Sequence, residues 1–346
     1  MGSTANEAAR KALLGEQGYE AARAALMAGS GFWTLLVALL AGAVLAVAAW
    51  ALLRRRGIDR PSDEPSQAPN VILGRLSMAL SLALWAGWAR LAYFHYQIWQ
   101  NVQIPDIASG GGYVQLSGKT DGLAVPLWIE GEKLYAWACL LALAVVLLGR
   151  RRDDPVFVWG SMVLGALTLC ALWATNPFTV PLPNLHSELV EYFRGGAVQA
   201  MWARKTFFYN SAYMWTHPPA LFVSYAAFVV SFIASVLRLR TRAVRYDRIA
   251  YAYAKFGYLV LTGGMLIGYP WAILAWKGDP WWWSGKINMS LMMWVMYSAY
   301  LHSRLYLKQR GMWKLAGWLS VACFVTLVMT YLSTYLVPGA HSVAGQ

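Results

Sequence analysis

Apolar stretches, separated by short polar or basic segments, recur along the whole of this chain of 346 residues. About 20 apolar residues in a helix cross a hydrocarbon core of about 30 Å. Lipid offers no partner to backbone N–H and C=O groups, so runs without strict alternation predict helices rather than barrel strands. We therefore expect an all-α, polytopic integral membrane helix bundle of about eight transmembrane helices. The predicted spans are residues 31–53, 77–97, 134–149, 156–175, 214–237, 252–275, 287–303 and 314–337.

Composition and charge agree with a membrane protein. Hydrophobic residues make up 58% of the chain and charged residues only 13%, which is unlike a soluble protein. Most of the 29 Lys and Arg residues lie in alternate loops, around 54–60, 150–152, 238–248 and 304–314. The positive-inside rule places such loops in the cytoplasm, so both termini are predicted on the non-cytoplasmic side. The net charge of +13 is then a topology signal, and nucleic acid is not expected as a partner.

The chain is predicted to divide into three regions. Residues 1–30 are rich in Ala with scattered Glu and Arg, which is typical of an amphipathic helix on the outer surface. They lack the apolar core of a signal peptide, so the first span is expected to act as the insertion signal. The N-terminal transmembrane helices 1–4 with their outer loops occupy 31–205, and transmembrane helices 5–8 occupy 206–346.

Three longer segments are predicted outside the membrane on the side of the termini. Alternating side chains at 113–116 are compatible with a short hairpin in the first of them. Glu130, Glu132 and Asp279 are expected to be solvated surface carboxylates. The outer segments are residues 98–133, 176–213 and 276–286.

The 19 Trp residues have two possible uses. An interfacial aromatic belt favours Trp at both membrane edges. That belt would account for Trp33, Trp128, Trp202 and Trp313. The three consecutive residues Trp281–Trp283 cannot all face one lipid boundary, and a flat ligand lying against their indole faces is the other use. The sequence alone leaves both interpretations of these three residues open.

The five His residues are the main candidates for chemistry. His95, His186, His217 and His341 are predicted on the outer side, and His302 at the inner end of the seventh span. A lone interfacial His is often only a satisfied polar residue, but two on one side can supply both axial ligands of haem iron. Without a CxxCH motif, any haem would be non-covalent and b-type. GxSxG and HExxH motifs, glycine-rich phosphate loops and paired carboxylates within the spans are missing, which argues against hydrolase chemistry and an ion-coupled pump.

Four motifs follow one another in the second half of the chain. Thr-His-Pro-Pro at 216–219 opens the fifth span, three Trp at 281–283 precede the seventh, Leu-His-Ser at 301–303 closes it, and Gly-Ala-His-Ser stands at 339–342. In this order they resemble the haem-handling membrane proteins of cytochrome c assembly, the CcsA, CcmF and CcmC superfamily. The resemblance covers roughly 210–346.

The resemblance implies a set of haem-binding residues. A haem would lie against Trp281–Trp283, with His217 and His341 as its outer axial ligands. In such proteins His302 would bind a second haem within the membrane, with a His from another helix or subunit as its mate. His95 resembles an early His of the family more loosely and is a further candidate.

The chain departs from the family pattern just after the last Trp. Where the family has Asp, Pro and Glu, this chain has Ser284, Gly285 and Ile287. Two carboxylates are therefore missing from a loop that would present haem to an apocytochrome. The departure bears on haem delivery more than on haem retention.

Two functions follow from the resemblance and its departures. The first is a protein of the bacterial cytoplasmic membrane that holds haem at the outer face for attachment to c-type cytochromes. The alternative is a subunit of a respiratory complex that carries haem b and passes electrons between quinol and a cytochrome c. Expected partners are a c-type cytochrome or apocytochrome, other membrane subunits, the lipid bilayer and, in the second case, quinol. An enzymatic role stays open, as part of a haem lyase system or of a quinol-oxidising complex.

Overall fold

The computed structural model is helical almost throughout. It describes residues 19–55, 67–101, 103–105, 113–115, 127–128, 130–148, 155–179, 181, 212–275, 281–306 and 312–337. The helices in these ranges are α1 Tyr19–Met27, α2 Ser30–Arg55, α3 Gln67–Asn101, α4 Lys133–Leu148, α5 Pro155–Cys170, α6 His217–Thr241, α7 Val244–Ala275, α8 Gly285–Ser303 and α9 Met312–Leu336. Single turns of 3-10 helix lie at Glu130–Glu132, Ala212–Trp215, Trp281–Trp283 and Arg304–Tyr306, and a π-helical turn at Ala171–Thr175.

Helices occur at all eight predicted spans, which confirms the all-α polytopic class. Among the described helices, six segments are long and apolar enough to cross a membrane. They are Ser30–Arg55, Val71–Gln100, Pro155–Thr175, Ala212–Thr241, Val244–Leu274 and Met312–Leu336. The apolar helix α4 is shorter, with 16 residues, or about 24 Å at 1.5 Å per residue. Helix α8 has 19 residues, but polar side chains such as Lys286, Asn288 and His302 lower its hydropathy.

A short ribbon follows α3. Strand β1 at Gln103–Pro105 pairs antiparallel with β2 at Tyr113–Gln115, and Ile104 lies opposite Val114. The sequence was only compatible with such pairing, and the structure shows it for Tyr113–Gln115.

The chain divides into two compact units. One contains residues 1–44, 79–139 and 165–215, and the other contains 45–78, 140–164 and 216–346. Helices α6 to α9 lie entirely within the second unit. The predicted regional boundary between 205 and 206 stays a prediction.

The first unit is held by polar contacts between its helices. The Tyr135 hydroxyl donates to the Leu84 carbonyl at 2.8 Å, and the Arg90 Nε donates to the Leu26 carbonyl at 2.6 Å. Gly87 lies where the Tyr135 ring passes, and any Cβ there would collide with that ring. Such bonds satisfy backbone carbonyls that lipid could not.

One tryptophan predicted for the interfacial belt is instead part of the packed interior. Trp128 is buried, and its indole N–H donates to the Met214 carbonyl. Trp33 is exposed, as a belt residue should be, and Trp313 lies beneath the Arg238 guanidinium at 4.6 Å. Trp202 lies outside the described residues.

The second unit packs α7, α8 and α9 against α6. Helix α6 begins with Pro218 and Pro219 in its first turn, where a missing N–H costs nothing. The Ser231 hydroxyl of α6 donates to the Ala250 carbonyl of α7 at 2.8 Å, and this hydrogen bond joins the two helices. Gly257 lets the Phe228 ring approach the α7 backbone, since a Cβ there would lie 2.6 Å from that ring.

Aromatic stacking packs α8 and α9 against α6. Phe228 stacks on Tyr297 of α8 with ring centroids 3.6 Å apart, and Phe232 stacks on Phe324 of α9 at 4.2 Å. The Ser235 and Ser320 hydroxyls are bonded at 2.8 Å. Close approach at small residues and hydroxyl bonds between helices are the usual means of helix association in lipid.

Candidate functional site

The first candidate residue, His217, stands at the beginning of α6 with its ring held by α7. Its Nδ1 lies 2.7 Å from the Gly264 carbonyl oxygen. The Trp271 ring lies at 6.1 Å between centroids and is tilted by 31°. Gly268 faces the imidazole so closely that a Cβ there would overlap Cε1 and Nδ1. Three residues of one helix therefore fix the position of this imidazole.

That hydrogen bond also selects the tautomer of His217. A carbonyl oxygen can only accept, so Nδ1 carries the proton and Nε2 carries the lone pair. Metal-bound histidines commonly donate their other ring N–H to a backbone carbonyl in this way. The chemistry of His217 is therefore suitable for a ligand of haem iron through Nε2.

The three consecutive tryptophans divide into one buried ring and two exposed rings. Trp281 is 7% exposed, Trp282 is 47% exposed and Trp283 is 80% exposed. Trp281 and Trp282 stack with centroids 3.7 Å apart and 23° between planes, and Tyr269 contacts both at 6.1 and 5.4 Å. Of these three residues, Trp282 and Trp283 have exposed indole surface, while Trp281 is buried and stacks against Trp282.

Helix α7 brings the imidazole and the tryptophans together. Gly264 and Gly268 contact His217, while Tyr269 contacts Trp281 and Trp282. These α7 residues lie within about two helical turns. Sequence reasoning missed them, although glycines four residues apart in an apolar helix indicate a close helix contact.

The end of α9 lies against the start of α8. A Cβ on Gly285 would be 2.6 Å from Cγ1 of Val337, so the Val337 side chain packs directly on the Gly285 backbone. His341, predicted as the second outer ligand, lies outside the described residues, as does His186. Val337, the described residue nearest to His341 in sequence, thus packs on Gly285, which follows Trp281–Trp283 and Ser284.

His302, the predicted ligand of a second haem, has the same hydrogen-bonding pattern as His217. Its Nδ1 lies 2.8 Å from the Ser298 carbonyl oxygen, so its lone pair is also on Nε2. The side chain is exposed on the described chain. It lies 17 residues from the first residue of α8, or about 25 Å along the helix. The two imidazoles therefore stand at separate sites.

An ion pair stabilises the same end of α8. The Arg304 guanidinium binds the Asp247 carboxylate through both of its terminal nitrogens and lies 4.8 Å from the Tyr251 ring. Burial alone would lower the pKa of Arg304, but its interactions, chiefly the hydrogen bond to Asp247, raise that pKa above its ordinary value. Arg304 is therefore a permanent cation next to His302 in sequence.

His95 differs from the other two described histidines. Its Nε2 lies 2.6 Å from a carboxylate oxygen of Glu132, and both side chains are 1% exposed. The prediction of a solvated Glu132 was wrong, because α3 and the turn before α4 enclose this carboxylate. Glu130 and Asp279 cannot be compared, since their side chains lie outside the described part. With Nε2 facing a carboxylate, His95 as a haem ligand stays a prediction.

The cysteines do not form a ligand set either. Cys139 and Cys323 are buried, whereas Cys170 is exposed. Within the described ranges, groups of three or more His, Cys, Asp or Glu side chains that could hold a bare metal ion do not occur. Haem iron needs only one or two protein ligands because the porphyrin supplies four. The imidazole of His217 and the exposed indole of Trp282 both contact α7, and these two kinds of side chain are suitable for that group.

Comparison with known proteins points to one family. Residues 129–341 match the family described as Cytochrome C assembly protein. The probable cytochrome c-type biogenesis protein NrfE of Escherichia coli (strain K12) is 29% identical over 222 residues, which are 61% of this chain and 36% of NrfE. The cytochrome c biogenesis protein CcsA of Prochlorococcus marinus (strain NATL1A) is 36% identical over 103 residues, 30% of this chain and 32% of CcsA.

The other comparisons agree. The cytochrome c-type biogenesis protein CcmF of Escherichia coli (strain K12) is 30% identical over 221 residues, 60% of this chain and 31% of CcmF. The chain thus covers well under half of the length of these relatives. No solved structure matches it. The family match includes His217, Trp281–Trp283, His302 and His341, but His95 lies before its first residue.

Proposed function

Because this chain belongs to the cytochrome c assembly protein family, we propose that it is a multi-pass membrane protein that holds non-covalent, b-type haem for attachment to c-type cytochromes. The observation that carries the proposal is the His217 ring, with Nδ1 bonded to Gly264 and a lone pair on Nε2. Helix α7, which holds that ring, also contacts Trp282 through Tyr269. The indoles of Trp282 and Trp283 are exposed.

His217 and His341 are the proposed axial ligands of this haem. Val337 packs on Gly285, directly after the tryptophans and Ser284. His341 is the fourth residue after Val337, and an extended chain spans at most about 14 Å over that length. That length is enough for residue 341 to reach Trp282 and Trp283 from the contact at Gly285.

The role of the residues is to hold and orient the ligand. When bound, haem supplies the vinyl groups to which the cysteine thiols of an apocytochrome add. Trp282 and Trp283 would bind the flat macrocycle through dispersion and stacking. Trp281 is buried beneath Trp282 and keeps the Trp282 ring in place. We place this haem at the non-cytoplasmic face of a bacterial cytoplasmic membrane, because the basic loops predict the opposite face to be cytoplasmic.

His302 is proposed as a ligand of a second haem within the membrane. Its imidazole has the same tautomer as His217, with Nδ1 bonded to a carbonyl. Since the His302 ring is exposed on this chain, the second axial ligand of that haem would come from another helix or from a partner subunit. Other membrane subunits and an apocytochrome are the proposed partners.

The haem content of the purified protein tests the proposal. The protein is purified in mild detergent, and its haem content is measured as the pyridine haemochrome. We expect His217→Ala to lose most of the outer haem and to regain it with added imidazole, which would occupy the space of the missing ring. His186→Ala is the control and should keep the wild-type content. Equal spectra for wild type and His217→Ala would refute the assignment.

A further inference from the structure

Arg238 lies near the end of α6, where that helix packs beside the beginning of α9. Its half-buried guanidinium lies over the Trp313 ring, 4.6 Å from the ring centroid. Its Nε is shielded from solvent and has no hydrogen-bond partner among the described residues. No carboxylate of those residues forms an ion pair with it either. A charged donor in this state is costly, and an acceptor from outside the chain would remove that cost.

Two further cations surround this guanidinium. The exposed Lys314 ammonium lies 5.7 Å from the centroid of the same Trp313 ring. Arg242, one turn beyond Arg238 at the end of α6, is also exposed. Leu239 packs on Gly317, where a Cβ would lie 2.7 Å from Cδ2 of the leucine, so α6 and α9 are in close contact beside these cations. Like charges repel, and an anion bound among them would lower that repulsion.

Acidic side chains at this end of the helices do not neutralise the cations. Eight Lys and Arg residues, but Asp247 as the sole Asp or Glu, occur in the described stretches 234–255, 300–306 and 312–317. The Asp247 carboxylate is already bound by Arg304 through both terminal nitrogens. An anion that approached Arg238 would therefore be attracted. Phosphate is the anion that best matches the N–H groups at the edge of a guanidinium, and these stay available when the group lies over an aromatic ring.

An apolar surface begins beside the same cations. Leu315 is 55% exposed and Trp318 is 64% exposed, and Val325 and Met329 continue the exposed surface further along α9. At about 100° per residue these four side chains share one face of the helix. Acyl chains can lie along such a face within a bilayer. A phospholipid therefore fits both parts of this region, whereas free phosphate fits only the cations.

We propose that the end of α6 and the beginning of α9 bind an anionic phospholipid, with its phosphate at Arg238 and its acyl chains along the exposed face of α9. Trp313 holds the guanidinium in place, and Lys314 and Arg242 add attraction. Basic sites between membrane helices on the cytoplasmic side bind such headgroups. Arg238 lies 21 residues from His217, or about 31 Å along α6, so this site is separate from the proposed haem site.

Lipid binding by the purified full chain tests this inference. The protein is kept in mild nonionic detergent, and phosphatidylglycerol or phosphatidylcholine with identical acyl chains is added. Native mass spectrometry measures the bound lipid, and thermal unfolding measures stabilisation. We expect wild type to bind phosphatidylglycerol in preference to phosphatidylcholine and to unfold at a higher temperature with it. Arg238→Gln should weaken phosphatidylglycerol binding about three- to tenfold, because a basic residue near an anionic headgroup contributes about 1 kcal/mol.

Arg248→Gln is the matched control. Arg248 is exposed in the second turn of α7, at the same predicted membrane edge, and it carries the same charge. This variant should bind phosphatidylglycerol as wild type does. Equal losses in Arg238→Gln and Arg248→Gln would show that the net charge of this edge attracts the lipid, and the inference would be wrong.

Three other results bear on the same site. Equal binding of the two lipids by wild type overturns the inference. The same thermal stabilisation by inorganic phosphate as by phosphatidylglycerol also overturns it, because the site would then take phosphate without a lipid. If Arg238→Gln does not fold, Lys314→Gln provides the test, since this lysine is exposed. We expect Lys314→Gln to weaken phosphatidylglycerol binding about two- to fivefold, and unchanged binding would contradict the site.

Discussion

Replacing Gly268 by alanine would place a methyl group inside the van der Waals envelope of the His217 ring. The added Cβ would overlap both Cε1 and Nδ1 of the imidazole. Either the ring moves, and its bond to the Gly264 carbonyl is lost, or α7 shifts away from α6. Both outcomes disturb the atom that is proposed to face iron, so the substitution tests the site without removing the ligand itself.

The expected size follows from packing energetics. Inserting one methyl group into a well-packed interior costs about 1–3 kcal/mol. If that cost falls on the ligand geometry, haem affinity drops roughly 5- to 150-fold, since about 1.4 kcal/mol corresponds to a factor of ten. A metal-bound His usually donates its other ring N–H to a nearby acceptor, and loss of that hydrogen bond costs about 10- to 100-fold in metal affinity. This cost agrees with the range above.

Gly263 provides a matched control on the same helix. A Cβ at Gly263 would have no neighbour within 4 Å outside its own helix. Gly263→Ala should leave haem affinity unchanged, and it should raise the stability of α7 by up to about 1 kcal/mol. Haem titration gives the affinity, and thermal unfolding in detergent gives the stability. If Gly268→Ala binds haem as tightly as Gly263→Ala, the proposed role of the Gly264 and Gly268 face in orienting His217 is wrong.

Two further pairs of side chains give predictions. Trp283→Ala should lower haem affinity while changing stability by less than about 0.5 kcal/mol, because the ring is 80% exposed. Trp281→Ala removes a buried ring and should cost about 3–5 kcal/mol in unfolding measurements; equal stability of the two variants would contradict this division. Glu132→Leu should cost about 3–5 kcal/mol, because it removes the carboxylate that faces a buried His95. The double variant with His95→Leu should recover much of that loss, and simple additivity in thermal unfolding would show that the pair is not coupled.

The helices could be predicted from the sequence because their signal is local. A run of apolar residues of the right length specifies a membrane helix without reference to the rest of the chain. The ends of α2 and α9 accordingly lie within two residues of the predicted spans 31–53 and 314–337. The alternation at 113–116 was compatible with a hairpin but did not identify the partner strand at Gln103–Pro105.

Burial of single polar side chains could not be predicted in this way. Trp128 looked like an interfacial residue, but its indole binds the carbonyl of Met214, which is 86 residues away in sequence. Glu132 stands beside charged neighbours and looked solvated, yet it lies against His95 from another helix. Such environments depend on which distant segments pack together, and local sequence patterns do not show this.

The candidate histidine ligands were predicted from motifs, and their hydrogen bonds differ. His217 and His302 lie at sites far apart along the helices, yet each has Nδ1 bonded to a backbone carbonyl. Each therefore exposes the lone pair of Nε2, the nitrogen through which imidazole usually binds haem iron. His95 instead directs Nε2 at the Glu132 carboxylate within a buried pair. The His95 ring would have to break this buried contact before its Nε2 could bind iron, whereas the other two need no such rearrangement. The tautomer, set by the local backbone, therefore favours the two motif histidines over His95 as haem ligands.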